Sequence, residues 1–437
     1  MTNSGSHGPI NGQIHWYSTA GAAPQCSVLK AEIEADFVVV GGGLTGTRTA
    51  LGLAEQGAKV VLLEAREIGW GASGRSGGQC NPMWRATPDD LAQRLGDACA
   101  VRLVETTIDS ADALFRDIEK YDVDCDPEQN GWVQAAHCGK AQTSLERLGE
   151  AWNKVGTNIS FQDRAQTLSA SGSPDYAFSL FHPNGGHVQP LSLTRGYARA
   201  AIKFGVQLFE NSAVLGMARV GTKWKVSTAN GAVTAPQVIL TTNAYSDDLW
   251  PHLRETFYPL VSISLATAPL SDDLQKTVLP NAVTIADSRR AIYYSRYDRD
   301  RRLIFGCVGS TDNAATLGGI QRLKRGLRTV FPQLADQPIE ATWAGRIAVT
   351  PETMPHLHEP DSGVLAGLGF SGRGIAMTSV MARTLVKKAL GADDATLPFP
   401  VSPIKAIPFQ SITRRLIPLA APAMTLRDRL DPILGRS

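Results

Sequence analysis

Four apolar residues, Phe37–Val40, are followed by glycines, by apolar positions at helical spacing over residues 48–56, and by a second apolar run over residues 59–64. This order predicts a βαβ unit with two buried, parallel strands. Over residues 89–120, Leu91, Leu95, Val101, Val104, Ile108 and Leu114 recur among charged residues, which predicts one amphipathic helix inserted after that unit. A second helix is predicted over residues 191–204, then strands around 207–215, 223–228 and 232–241. Residues 263–308 alternate apolar and polar, with turn clusters at 271–273 and 298–302, as an antiparallel sheet does. A third block, residues 343–390, ends in a helix. The first 30 residues have no period and predict an irregular arm with one aromatic cluster, His15, Trp16 and Tyr17. The last 38 or so mix Pro and Arg with Leu and Ile and predict a wrapping tail.

Composition narrows the class. The chain has 437 residues, 43% hydrophobic and 19% charged, enough for two or three domains with real cores, which excludes a disordered chain. Lys and Arg number 43 against 41 Asp and Glu, and a net charge of +2 does not suit a nucleic-acid partner. The six cysteines, at 26, 80, 99, 125, 138 and 307, form no Cys-x-x-Cys pair and are expected to be reduced thiols. No Lys or Arg precedes Lys30 and no apolar run reaches the roughly 18 residues of a bilayer span, so a cytoplasmic protein without an integral membrane segment is expected.

The motif with chemical content is Gly41-Gly42-Gly43-Leu44-Thr45-Gly46, placed between strand and helix, with Glu64-Ala65-Arg66 closing the next strand. Gly41 permits a tight turn, Gly43 lets backbone approach a pyrophosphate, and Gly46 lets helix pack on strand. The helix N-terminus offers free N–H groups to phosphate, and Glu64 accepts from a ribose. FAD and NAD share this fingerprint. A second glycine-dense stretch, Gly69-Trp70-Gly71-Ala72-Ser73-Gly74-Arg75-Ser76-Gly77-Gly78-Gln79, follows where an NAD fold would continue with another βα unit, and it suits a backbone running along a ribityl chain and flavin edge. A plain linker would not carry Trp70, Arg75 and the downstream Trp84.

The arm His15 to Ala20, the segment Phe37 to Glu64 and the loop Gly71 to Gln79 resemble the gamma-glutamylputrescine oxidoreductase family, within the glycine oxidase and D-amino-acid oxidase superfamily of FAD enzymes. The resemblance continues through Gly186-His187-Val188-Gln189-Pro190, the strand Val238 to Tyr245 containing Thr242, Trp343-Ala344-Gly345-Arg346, and Gly369-Phe370-Ser371-Gly372-Arg373-Gly374-Ile375. It implies an α/β (α+β) fold in which a Rossmann-like FAD-binding domain (36–90, 185–250 and 340–395) interleaves with an antiparallel-sheet substrate domain (91–184 and 251–339), between an arm (1–35) and a C-terminal tail (396–437). It further implies an adenine contact at Val214 and a late loop, Gly369 to Ile375, that sets N–H groups and Arg373 near the flavin pyrimidine edge. Relatives that attach FAD covalently use a His or Cys where this chain has Arg75 and no Cys, so non-covalent FAD is implied. Some relatives activate oxygen with a Lys on the strand here read Arg302 to Gly306, which has none, so O2 and another electron acceptor both stay open.

The reaction implied is oxidation of a primary or secondary amine, such as a gamma-glutamylated polyamine. Hydride passes from the carbon α to nitrogen to flavin N5, and the imine hydrolyses to an aldehyde or keto acid. An oxidase of glycine, sarcosine or a D-amino acid, and a flavin-binding protein without turnover, are the competing readings. Candidates for positioning substrate are Tyr293, Tyr294 and Arg346, with Tyr293 and Tyr294 on opposite faces of one strand and either face able to meet the flavin. No metal is expected: His356-Leu357-His358-Glu359 reads as a Pro-flanked loop without further ligands.

Overall fold

The computed structural model describes residues 14–309 and 317–434. The nucleotide side is a seven-stranded sheet running Val401–Ser402, His356–Asp361, Val364–Leu368, Gln237–Leu240, Phe37–Val40, Val60–Leu63 and Gln207–Phe209. The last five pair in parallel. The unbroken apolar runs in its central strands follow from burial on both faces. Val39 and Leu62 meet a helical layer that includes Leu44–Glu55, Pro190–Lys203 and Gly374–Ala389. Val38, Val40, Val61 and Leu63 meet a separate four-stranded sheet of Glu32–Glu34, Ala232–Ala235, Lys223–Ser227 and Gly216–Val220, through Trp224, Val226 and Val233.

The second large sheet has eight strands, in the order Ile339–Val349, Tyr258–Pro269, Arg302–Gly309, Tyr293–Tyr297, Thr284–Asp287, Trp132–Ala136, Phe178–His182 and Ser160–Gln162. It is antiparallel except where Thr284–Asp287 and Trp132–Ala136 run parallel. The helix Leu317–Val330 covers one face, with Leu323, Leu327 and Val330 on Ile263, Phe305 and Cys307. The opposite face turns toward the glycine loops. Strand Ile339–Val349 therefore pairs on the substrate side, although a boundary at residue 340 assigns it to the nucleotide side.

Four local expectations change. The region 89–120 is two helices, Pro88–Leu95 and Asp97–Lys120, broken at Gly96 (φ 77°) after a Thr87/Asp90 capping box. Residues 1–13 of the predicted arm lie outside the described residues; the rest holds a short helix, His15–Thr19, and the strand Glu32–Glu34. The His356 segment is a strand, in which His358 donates from Nδ1 to the carbonyl of Ser402 at 2.8 Å while His356 meets Glu352 at 3.1 Å. The tail is a 25-residue helix, Gln410–Leu434, that runs through Pro418 and Pro422. Each of these prolines removes one intrahelical N–H donor, a loss that the water-facing side of a surface helix tolerates. Asp428 docks this helix by accepting from the backbone N–H groups of Arg290 and Ala291, at 2.9 and 3.0 Å.

Burial pushes the His182 and His358 rings down to about 4. Below the ordinary histidine value near 6.5 the unfolded chain takes up protons that the native rings refuse. Stability present at pH 7 is therefore lost as pH falls from about 6.5 to about 4, by up to about 3 kcal/mol per ring. Both ring nitrogens of His182 lack a partner among the described residues. His182→Phe is thus expected to narrow the difference in thermal midpoint between pH 7 and pH 5; an unchanged difference would contradict this account of the ring.

Candidate flavin site

The site begins at the N-terminus of the helix Leu44–Glu55. Gly41 holds φ 109°, a conformation a side chain would strain, and a Cβ on Gly46 would be driven into the carbonyl oxygen of Gly41. These two constraints bring the helix start against the strand end. Ser73 Oγ accepts from the Leu44 N–H at 2.9 Å. The N–H groups of Thr45 and Gly46, without intrahelical partners, are left for a phosphate. Gly43 leaves the approach open, since a Cβ there would meet only Ser73 Oγ, at 2.9 Å. Glu64 accepts from the N–H of Gly42 at 2.6 Å and of Arg66 at 2.8 Å. Burial raises its carboxyl above the ordinary value, against the pull of these N–H groups and that of Ala65. Its oxygens keep lone pairs for ribose hydroxyls. The segment before Val214 lies alongside, with Asn211 N–H on the Arg66 carbonyl (2.8 Å) and Ser212 N–H on that of Glu64 (2.9 Å).

The second glycine loop passes beneath the eight-stranded sheet, where four consecutive carbonyls are tied. That of Arg75 accepts from Trp343 Nε1 (2.8 Å), Ser76 from Trp16 Nε1 (2.8 Å), Gly77 from Arg296 Nε (2.8 Å) and Gly78 from the Val188 N–H (2.9 Å). In a planar trans peptide the next N–H points the opposite way, so the N–H groups of Gly77 and Gly78 face away from these partners. Gln79 ties the end of the loop through Nε2 to the carbonyls of Ile285 and Ser295, both at 3.0 Å. Arg75 is itself a clamp, bonding the Trp70 carbonyl at 2.8 Å and that of Ala344 at 3.4 Å, while Gly71 abuts the Tyr245 ring, where a Cβ would come to 3.3 Å.

The donors that tie the loop are themselves fixed. His15 Nε2 meets Asp298 at 2.7 Å. Burial works to raise Asp298, but the bonds from His15 and the Arg302 N–H outweigh it and hold the carboxyl below the ordinary value. The Arg296 guanidinium lies 4.5 Å from the Trp16 ring centroid.

Register separates the two tyrosines. Tyr294 stands opposite Gly306, which stands opposite Ser264 and then Trp343, on the face above the loop. Its ring lies against Gly77, and its hydroxyl bonds Ser262 at 2.8 Å and Ser264 at 2.9 Å. Tyr293 stands opposite Cys307 and packs on Phe305, on the face covered by Leu317–Val330. It is therefore turned away from the loop. Arg346 shares the face of Ala344, with its guanidinium 5.7 Å from the Tyr245 ring centroid.

The late loop completes the enclosure. Gly369 donates to Asn243 Oδ1 at 2.9 Å, next to Thr242, whose hydroxyl is 2.7 Å from Ser246 Oγ. Gly369 and Gly372 hold φ 87° and 86°, and Arg373 precedes the helix start at Gly374 and Ile375. Arg373 is buried, 5.3 Å from the Trp132 ring centroid, and its Nη1 has no partner among the described residues. Burial, and then the charge of Arg85, lower its proton affinity to about 9. A guanidinium keeps its proton at neutral pH, so a buried positive charge with a free Nη1 is left for an anion to offset.

The family model of FAD dependent oxidoreductases, DAO, matches residues 36–388. The chain belongs to this family. It is 32% identical over 365 residues to the probable oxidoreductase OrdL of Haemophilus influenzae, covering 82% of this chain and 84% of that one. It is 32% identical over 414 residues to gamma-glutamylputrescine oxidoreductase of Escherichia coli, covering 92% and 95%. Its fold matches the crystal structure of glycine oxidase from Geobacillus kaustophilus with a TM-score of 0.71 at 19% identity, over 85% of this chain and 99% of that one.

FAD is the cofactor of this family, and the residues present fit it. The helix N-terminus and Gly43 suit the pyrophosphate, Glu64 a ribose, and the inward N–H groups of Gly77 and Gly78 with Arg373 suit an electron-rich ring. The glycine motifs carried these positions locally. Trp16, Asn243 and Arg85 were not foreseen as site residues, and Arg296 was weighed only as substrate lining, on the face of Tyr294. Trp16 and Arg296 act only through partners 60 and 219 residues away, which no local pattern reveals. Among the described residues, His137, Asp428 and Asp431 bring ligand atoms within 4.8 Å of one another, but Asp428 is occupied by Arg290.

Gly43→Val is expected to leave the apoprotein folded, with its flavin-to-protein ratio at least tenfold lower. Gly46→Ala is expected to destabilise the apoprotein itself by about 3 kcal/mol. Thermal unfolding without cofactor, together with flavin absorbance of the purified variants, separates the two effects; full flavin retention by Gly43→Val would contradict this assignment of the loop.

Proposed function

We propose that this flavoenzyme oxidises a primary or secondary amine that also bears a carboxylate, a class that includes gamma-glutamylated amines, through non-covalent FAD. The observation that carries the reading is a pair of guanidiniums without acids. Arg373 has no carboxylate partner, and neither has Arg85 among the described residues. Arg85 is exposed to solvent at an open pocket of about 580 Å³ that Asp90, Gln134, Lys140, Arg147 and Asp287 also line. Burial lowers its proton affinity, and Asp287, the carboxylate that opposes this, is already bonded by Arg289.

Arg373, which is buried, and Arg85, at the open pocket, offer sites for two negative charges. One is supplied by the flavin, which gathers charge at N1 and O2 on reduction, where Arg373 would stabilise it. The other, at Arg85, is supplied by a substrate carboxylate. The same positive field disfavours an ammonium, so the reacting nitrogen is held in its neutral form without a dedicated base. FAD held by these residues would supply the two-electron oxidant, an acceptor for hydride from the carbon next to that nitrogen. Hydrolysis of the imine gives an aldehyde and ammonia from a primary amine, or an aldehyde and an amine from a secondary one, and the electrons pass to O2, giving H2O2, or to another acceptor. Similarity to gamma-glutamylputrescine oxidoreductase supports the same substrate class.

Anaerobic titration with a panel of amines tests the reading: a gamma-glutamyl amine is expected to bleach the bound flavin, and bleaching by glycine or sarcosine alone would replace it with a small amino acid oxidase. Bound flavin that no amine reduces would leave a flavin-binding protein without turnover. Arg85→Gln is expected to raise KM for the carboxylate-bearing amine about 10- to 100-fold, with kcat little changed. An uncharged amine of equal length should be unaffected, and equal losses for both substrates would remove Arg85 from the binding site.

A further inference from the structure

The C-terminal helix Gln410–Leu434 presents an apolar face that stays exposed among the described residues. Ile412, Leu416, Leu419, Ala423, Leu426 and Leu430 follow one another at alternating steps of four and three, which places them on one side of the helix. The five larger ones are between 41% and 64% exposed. Ala421 and Asp428, seven apart on the opposite side, are buried against the body. The apolar stripe therefore points outward for about five turns, where a soluble surface helix would carry polar side chains.

The charges beside the stripe indicate what covers it. The positions flanking it hold Arg415, Arg427 and Arg429, all exposed. The two acids of this helix, Asp428 and Asp431, are engaged with Arg290 of the body. The outward face is thus apolar in the middle and cationic at its edges, without an exposed acid on the described part of the helix to balance it. A second copy is a poor match, because pairing two such stripes in either orientation sets arginine against arginine at the flanking positions. An anionic bilayer surface matches both features: leucines enter the acyl boundary while guanidiniums stay among the headgroups.

We propose that the C-terminal helix docks this enzyme peripherally on membranes that contain anionic lipid, through the stripe Ile412 to Leu430 and its flanking arginines. No helix among the described residues is long and apolar enough to cross a bilayer, so the contact lies in the interface. The docking is independent of the flavin chemistry, since the stripe touches none of the residues that form the site.

Co-sedimentation of the full-length, flavin-loaded protein with vesicles tests this, using phosphatidylcholine alone or with one third phosphatidylglycerol. Binding is expected to the anionic vesicles, weakly to the neutral ones, and to fall as salt is added. Arg427→Gln with Arg429→Gln is expected to weaken it about 30-fold, five- to sixfold per charge. Leu416→Ser with Leu419→Ser is expected to abolish it while flavin content and thermal midpoint stay unchanged. Absence of binding to anionic vesicles at low salt, or binding that ignores lipid charge, would overturn the proposal. A dimer seen by analytical ultracentrifugation that the leucine variant dissociates would overturn it too, by giving the stripe to a second copy.

Discussion

The tie-down of four successive carbonyls, from Arg75 to Gly78, is the constraint on which this architecture depends. A glycine-rich segment pays the largest conformational entropy of any sequence when ordered, and left alone it would stay mobile. Here its donors come from four distant elements: Trp16 of the arm, Arg296 and Trp343 of the eight-stranded sheet, and Val188 ahead of the helix Pro190–Lys203. These ties join the arm, the eight-stranded sheet and the segment ahead of Pro190–Lys203 at the cofactor site. They also orient the peptides. With the carbonyls held by these partners, the N–H groups of Gly77 and Gly78 are turned the other way, as donors for an electron-rich ring.

The same region carries an electrostatic cost. Arg373 is buried beside the Trp132 ring, and its Nη1 has no partner among the described residues. A buried, unpaired guanidinium destabilises a fold, and such a cost is retained where binding relieves it. Cofactor and substrate then both stabilise the protein by completing its charge balance. The contrast with Arg289 is instructive. It is ion-paired to Asp175 and Asp287 and stacks near Tyr176 and Tyr293, so it is a structural cation satisfied without any ligand.

The parts of this molecule that were legible in the chain are those whose signal is local. Phe37–Val40, the glycines after it and Glu64 define the nucleotide unit within thirty residues, because tight turn, helix start and ribose acceptor must be neighbours in sequence. Tyr293 and Tyr294 show where locality ends: alternation separates their faces, but only pairing with Cys307 and Gly306 shows which face meets the loop. Gly96 split one apparent helix into two, since apolar periodicity continues across a break that only backbone conformation reveals. Pro418 and Pro422 misled in the other direction. The helix Gln410–Leu434 accommodates them because tertiary docking at Asp428 and Ala421 outweighs two missing hydrogen bonds.

The central claim is that FAD rests non-covalently along the two glycine loops. Acid precipitation of the purified protein tests it most directly, with flavin measured in supernatant and pellet. The account predicts one FAD per chain released into the supernatant. Flavin retained in the pellet, or a colourless protein that cannot be reconstituted with FAD, would contradict it.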